Sequence, residues 1–80
     1  MRVYIKLFAS LRNKYPGIND LNPLEKDFAK GITVGEVILL LDFKQEEIKI
    51  TLVDGLKKPL DFKIEKENTI ISLFPPIGGG

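Results

Sequence analysis

The sequence has 80 residues, 44% hydrophobic and 29% charged, a composition that predicts one small globular domain. Its 12 basic and 11 acidic residues leave a formal net charge of +1, which argues against a nucleic-acid-binding protein. The absence of cysteine and histidine excludes disulfides, thiolate nucleophiles and most metal sites. We therefore expect no bound metal or cofactor, and no catalysis by the chain alone.

The N-terminal residues lack the apolar run of a signal peptide. The longest apolar run, residues 37–41, is far too short to span a bilayer. These features predict a soluble cytoplasmic protein with no membrane contact.

The first third of the chain predicts two strands joined by a short helix and a loop. Apolar residues recur with period two over residues 3–8, which predicts a strand with Tyr4 and Phe8 on its second face. That aromatic pair is typical of a packed layer or of an exposed docking patch. The elements that follow are a short helix (9–15), the longest loop (18–23) and a weaker strand (24–30).

The main helix is predicted by a capping box at Thr33 and Glu36, in which each side chain accepts the other residue's backbone N–H. Leu40 falls on the flank of its apolar stripe, and Leu39 faces away from the stripe. Gly35, in the first turn, is expected to allow close approach of the helix to the sheet. The core-facing stripe consists of Val34, Val37, Ile38 and Leu41.

Three strands are predicted after the helix. The first alternates over residues 48–52 and ends at the turn signal Asp54–Gly55, and residues 56–59 form a connector. The second alternates over residues 60–64. The last, residues 69–74, is apolar on both faces and predicts a strand buried on both sides in the middle of the sheet.

This element order predicts an α+β fold, the β-grasp or ubiquitin-like roll. A mixed sheet of about five strands would pack on one main helix, with the first and last strands side by side. We expect residues 1–74 to form the β-grasp domain and residues 75–80 a flexible C-terminal tail.

The tail is the most distinctive stretch, because an apolar strand leads into two prolines and three glycines at Phe74–Gly80. The prolines favour an extended path out of the fold, and glycines contribute nothing to packing. Residues 75–80 reach about 20 Å at roughly 3.3–3.6 Å per residue, enough to carry a carboxylate down a narrow tunnel in a partner. A frayed terminus with no function is the alternative.

The tail resembles the ending of the small subunit of molybdopterin synthase, an apolar–Pro–Pro–Val–x–Gly–Gly pattern. Weaker resemblances to the same family of ubiquitin-like sulfur carriers lie in residues 3–12, 33–37 and 53–55. The sequence departs from the family at Lys66–Asn68, where Asp-Gly-Asp is usual, and in a longer loop at residues 16–23.

The resemblance implies that a ubiquitin-activating-like adenylyltransferase, using ATP, activates the Gly80 carboxylate. A sulfur donor protein then converts it to a thiocarboxylate, which serves molybdenum or tungsten cofactor biosynthesis. Gly79 and Gly80 would enter the partners' active sites, guided by Ile77 and Gly78. The resemblance further implies a heterotetramer with the large subunit. The remaining partner-binding residues are Phe8, Phe74, Pro75 and Pro76.

Other functions stay open from the sequence. The sulfur carrier of thiamine thiazole synthesis also ends in Gly-Gly, although it usually lacks the double proline. A ubiquitin-like modifier would use the same activated Gly80 carboxyl to form isopeptide bonds with lysines. The last alternative is a β-grasp interaction module with an inert tail.

Overall fold

The computed structural model describes residues 1–77, and its main sheet has five strands in the order β2-β1-β7-β4-β5. β1 and β7 are parallel, and the other pairs of this sheet are antiparallel. A separate two-stranded sheet joins β3 to β6. The strands are β1 (Arg2–Leu7), β2 (Leu24–Asp27), β3 (Ile32–Thr33), β4 (Ile50–Val53), β5 (Leu56–Lys57), β6 (Lys63–Ile64) and β7 (Thr69–Phe74). The helices are α1 (Val34–Leu40) and two 3₁₀ helices, Ala9–Lys14 and Gln45–Glu47.

One face of the sheet packs on α1, and this arrangement confirms the predicted β-grasp roll. The four stripe residues of the helix are buried, while Leu39 and Leu40 are 57% and 66% exposed, as their positions on the helix predict. The domain boundary at residue 74 stays a prediction. The core consists of Val3, Ile5, Leu7, Leu11, Val34, Val37, Ile38, Leu41, Phe43, Val53, Ile64, Ile71 and Leu73.

The last strand corrects one expectation. β7 does lie in the middle of the sheet beside β1, but it is buried on one face only. Ile71 and Leu73 are fully buried, whereas Ile70 is 39% exposed and Phe74 is half-buried. Because α1 covers only one side of the sheet, the apolar residues on the second face of β7 remain accessible.

The segments around β5 and β6 also differ from the sequence prediction. Residues 56–59, expected to be a connector, contain β5, which pairs with β4 through a turn in which Asp54 and Gly55 have φ of 50° and 84°. Positive φ at both positions is the geometry that the Asp-Gly signal predicts. Of the strand expected at residues 60–64, only the last two residues form a strand, β6. This strand lies outside the main sheet.

The main helix, α1, has seven residues. It ends because Asp42 takes a left-handed conformation with φ of 67°. The N–H of Asp42 donates to the carbonyl of Leu39 at 2.9 Å, and that of Phe43 donates to Ile38 at 3.1 Å, which is the Schellman pattern. Asp42 occupies the position that glycine usually holds after a helix, so the sequence contains no glycine that would indicate this helix end.

The predicted capping box is present at the start of α1. The backbone N–H of Glu36 donates to Thr33 Oγ1 at 3.1 Å, and the backbone N–H of Thr33 donates to Glu36 Oε1 at 3.0 Å. Gly35 does allow a close approach, but of a loop and not of the sheet: an added Cβ would lie 3.3 Å from the carbonyl oxygen of Leu60, which lies between β5 and β6.

We expect the capping box to make stability depend on pH. Hydrogen bonds from the backbone N–H and then the hydroxyl of Thr33 lower the pKa of the Glu36 carboxyl. A lowered folded-state pKa stabilises the fold above the ordinary glutamate pKa, and this contribution is lost as the pH falls through the folded-state pKa. Urea unfolding at several pH values should therefore show wild type losing stability relative to Glu36→Gln on acidification. Parallel pH curves for the two proteins would contradict this assignment.

Candidate functional site

The end of β7 forms the base of the candidate site. The N–H of Phe8 donates to the carbonyl of Leu73 at 3.2 Å, and the N–H of Lys49 donates to that of Phe74 at 2.8 Å. Pro75 and Pro76 follow, and neither has an N–H to donate. The ladder therefore stops at Phe74, and the chain leaves the sheet from its central strand.

Phe8 and Phe74 stack at this exit. Their ring centroids are 4.3 Å apart and the ring planes differ by 12°. Such aromatic pairs contribute about 0.5–1.5 kcal/mol beyond the area they bury. Because Phe74 immediately precedes Pro75, the stack fixes the point from which the tail departs.

An apolar groove of about 340 Å³ borders the stack. We call it the exit groove, and the side chain of Ile77 at its end is 87% exposed. Its lining carries no ionisable side chain, so the groove suits an apolar partner surface and has no group for acid–base chemistry. The lining residues are Phe8, Ala9, Ile50, Phe74, Pro75, Pro76 and Ile77.

A second depression that is also lined by the two prolines is more polar than the exit groove. A depression of about 550 Å³ there has Lys14, Glu46 and Glu47 among its lining residues, together with Pro75 and Pro76. The proline segment thus runs between an apolar and a charged surface.

The sheet face opposite α1 continues the apolar surface of the exit groove, and we call it the outer face. Strand register places Tyr4 opposite Ile70, and Ile50 opposite Phe74, on this face. None of these four side chains is fully buried, and Leu52 adds to the apolar area away from the tail. The pair Lys6 and Ser72 lies on the same face, between Tyr4–Ile70 and the Phe8–Phe74 stack, so the face is apolar with a polar pair inside it. An exposed apolar area of this kind is typical of a protein–protein contact.

Five predicted site residues meet at the exit: Phe8, Phe74, Pro75, Pro76 and Ile77. Gly78, Gly79 and Gly80 lie outside the described residues, so their predicted roles stay predictions.

Two residues that line the exit groove, Ile50 and Ala9, are not among the predicted site residues. Ile50 was placed in a strand, but the pattern did not show that Thr51 and Val53 form the buried face of β4. No sequence signal marked Ala9, which enters the left-handed region with φ of 53° where β1 turns into the first 3₁₀ helix.

Among residues 1–77, no three potential metal-binding side chains lie together in a group that could hold an ion. No helix in the same range is long and apolar enough to cross a membrane.

Solved structures share this fold along nearly the whole chain. SAMP1 from Haloferax volcanii, a small archaeal modifier protein, is 20% identical with a TM-score of 0.73, and the match covers 100% of both chains. A putative molybdopterin converting factor, subunit 1, from Pyrococcus furiosus is 20% identical with a TM-score of 0.73, covering 96% of this chain and 99% of that one. A chain of the Helicobacter pylori complex of subunits 1 and 2 of molybdopterin-converting factor is 17% identical, with a TM-score of 0.61 and 100% coverage of both chains.

No protein-family model matches the sequence, and no curated protein matches it. At these identities the structural likeness establishes the fold, which is the ubiquitin-like β-grasp.

Proposed function

We propose that this chain is a sulfur carrier of the molybdopterin synthase small-subunit type. Its Gly80 carboxylate is adenylated by a partner enzyme, converted to a thiocarboxylate, and supplies sulfur for the dithiolene that holds molybdenum or tungsten. The observation that carries the proposal is the exit of the tail from the central strand, beside an aromatic stack and an exposed apolar face. The likeness to a molybdopterin converting factor subunit supports the same assignment.

The chemistry needs an external activator. A terminal carboxyl has a pKa of about 3.3–3.7, so at neutral pH it is an anion and a poor electrophile. Attack of its oxygen on the α-phosphorus of ATP expels pyrophosphate and leaves an acyl-adenylate. Hydrosulfide released by the sulfur donor then attacks the carbonyl carbon, AMP leaves with the electrons of the carbon–oxygen bond, the sulfur loses its proton, and the thiocarboxylate remains on Gly80.

The chain's own contribution is placement of that carboxylate. The outer face docks the activating enzyme and then the large subunit, and the proline segment directs the glycines into each active site. The pairing of subunits 1 and 2 in the Helicobacter pylori complex supports a large-subunit partner. Because the proposed reaction consumes ATP, a cytoplasmic location is part of the proposal.

Thiol-selective alkylation tests the proposal. The protein is incubated with ATP, its adenylating enzyme and a sulfur donor, then alkylated and analysed by intact mass and peptide mapping. Because the chain has no cysteine, a thiocarboxylate is the one group of this chain that a thiol reagent modifies selectively. We expect one adduct, mapped to Gly80 and dependent on ATP. Absence of the adduct with a demonstrably active enzyme would refute a sulfur-carrier function.

A protein modifier is the second candidate, because SAMP1 shares this fold over its full length. An activated Gly80 carboxyl would then be attacked by a lysine amine of a target, with loss of AMP, to form an isopeptide bond. Ladders on denaturing gels that resist hydroxylamine and contain a Gly80–lysine linkage would favour this function. Thiocarboxylate formation without such ladders would favour the carrier.

We predict that Phe8→Ala weakens binding to the large subunit about tenfold, because it removes one ring of the exit stack and part of the exit groove. Titration calorimetry with the large subunit measures the change. Leu40→Ala is the control, since Leu40 is exposed on the helix side of the molecule. Equal losses for both variants would show that the outer face is not the docking surface.

A further inference from the structure

Arg12, in the first 3₁₀ helix, reaches back to the end of β1. Its Nε donates to the carbonyl oxygen of Leu7 at 2.8 Å, and this contact is partly buried. Its guanidinium carbon lies 5.7 Å from the centroid of the Phe8 ring, within cation–π range. A third contact, from Nη2 to Asp20 at 3.5 Å, ties the guanidinium to the following loop.

These contacts close a strained turn. Ala9 has φ of 53°, a left-handed conformation that is unfavourable for alanine because its Cβ comes too close to the following carbonyl oxygen. The turn also contains Phe8, whose carbonyl accepts from the N–H of Leu11 at 3.2 Å. The bond from Arg12 to Leu7 bridges both residues, so it opposes relaxation of the turn.

The turn is coupled to the tail through Phe8. One neighbour of the Phe8 ring is the Arg12 guanidinium, and the other is the ring of Phe74. Phe74 lies next to Pro75, where the chain leaves the sheet. If the Phe8 ring moved, the Phe74 ring would lose its stacking partner, and the direction in which Pro75 leaves the sheet would no longer be restricted.

We propose that Arg12 is a positioning residue for the C-terminal tail. By holding the carbonyl of Leu7 and facing the Phe8 ring, it keeps Phe8 stacked on Phe74 and so sets the direction in which Pro75 and Pro76 leave the sheet. This role rests on the proposed function, because a defined direction matters when the tail must enter a partner's active site. The reactive group stays the Gly80 carboxylate, and Arg12 acts on it only through the tail.

Arg12→Met tests the role, because methionine keeps an unbranched apolar stem and removes the guanidinium. Arg2→Met is the matched control. The Arg2 side chain is 40% exposed against 41% for Arg12, and it pairs with Asp27 at the opposite end of β1. Both variants lose one positive charge, and Arg2→Met loses two exposed ion pairs, to Asp27 and Glu25, where Arg12→Met loses one. An effect seen only in Arg12→Met therefore comes from the contacts with Leu7 and Phe8 and not from the loss of charge or of ion pairs.

The first readout is ATP-dependent adenylation by the partner enzyme. Arg12→Met removes no residue of the outer face or of the exit groove, and the Phe8 ring remains available for contact, so we expect its KM to stay within about twofold of wild type. Its kcat should fall about fivefold, because the tail enters the active site in fewer of the enzyme complexes. A fivefold fall corresponds to an increase of about 1 kcal/mol in the activation free energy. Arg2→Met should leave both constants unchanged.

The second readout uses the isolated protein. Ile50 and Ile77 line the exit groove with the two stacked rings, so ring currents displace their δ1-methyl NMR signals. In Arg12→Met these signals should move in the direction seen in Phe8→Ala. If wild type is never adenylated, the proposed function fails, and the methyl signals still decide the role of Arg12.

Three results would overturn the proposal. A raised KM with an unchanged kcat would mean that Arg12 contacts the partner directly. A kcat loss equal to the unfolded fraction, measured by thermal melting, would mean that Arg12 only stabilises the fold. Methyl signals unchanged from wild type would show that the stack does not depend on Arg12.

Discussion

Deleting Gly80 is expected to reduce thiocarboxylate formation on the order of 100-fold or more, leaving the fold intact. The deletion leaves Gly79 as the new terminus and shortens the tail by one residue, about 3.3–3.6 Å. Misplacing a reacting group by even about 1 Å can cost 10²-fold, and here the carboxylate would stop short of the adenylation site. Alkylation followed by mass analysis measures the loss. Thermal melting should be unchanged, because the deletion is C-terminal to every described strand.

Gly78→Ser is the matched control for that deletion. Both variants keep two of the three terminal glycines, but only Gly78→Ser keeps the length of the tail. Gly78 occupies the variable position of the tail pattern, so we expect most of the activity to remain. Equal loss in both variants would show that glycine content matters and length does not. Full activity of the shortened chain would refute the role of Gly80.

Replacing Ile71 by alanine is expected to cost about 2–5 kcal/mol of unfolding free energy, the range for deleting a buried isoleucine side chain beyond Cβ. Ile71 is fully buried in the central strand, where it pairs with Ile5 on one side and Val53 on the other. A domain of this size has total stability near the lower end of about 5–15 kcal/mol. Thermal and urea unfolding should show a fall in Tm of about 10–30 °C.

Ile70→Ala is the control, because it removes the same atoms from the adjacent residue of the same strand. Ile70 is 39% exposed on the outer face, so its replacement should cost about 1–1.5 kcal/mol, less than the replacement of Ile71. If Ile70→Ala and Ile71→Ala lost comparable amounts of unfolding free energy, the outer face would have to be covered in the isolated protein. A small loss for Ile70 combined with weaker partner binding would support the docking role of that face.

Features that depend on residues close in sequence could be predicted well. The capping box at Thr33 and Glu36 and the Asp54–Gly55 turn are present as expected. Each depends on backbone conformation and hydrogen bonds within four residues, so composition and spacing contain most of the information. Alternation also placed Phe8 on the face opposite the core, where it meets Phe74.

The sequence was a poorer guide to which face of each strand is buried. The apolar residues of β7 suggest burial on both faces, but within residues 1–77 only alternate positions of this strand are buried, on the face that α1 covers. In β4 the buried positions are Thr51 and Val53, although Ile50 and Leu52 are as apolar as any core residue. An apolar side chain is compatible with a core or with a docking surface, and the layers packed against the sheet decide between them.

The amino-acid order alone therefore specified the helix start, the hairpin turn, the strand periods and a tail with two prolines and three glycines. Tertiary structure decided which strand face is open and that Phe8 meets Phe74. It also decided that Arg12 holds the strained turn at Ala9. The physical reason is the range of the interactions. Caps and turns are satisfied within a few residues, whereas the exit site joins segments more than sixty residues apart, from Phe8 to Phe74, through strand pairing.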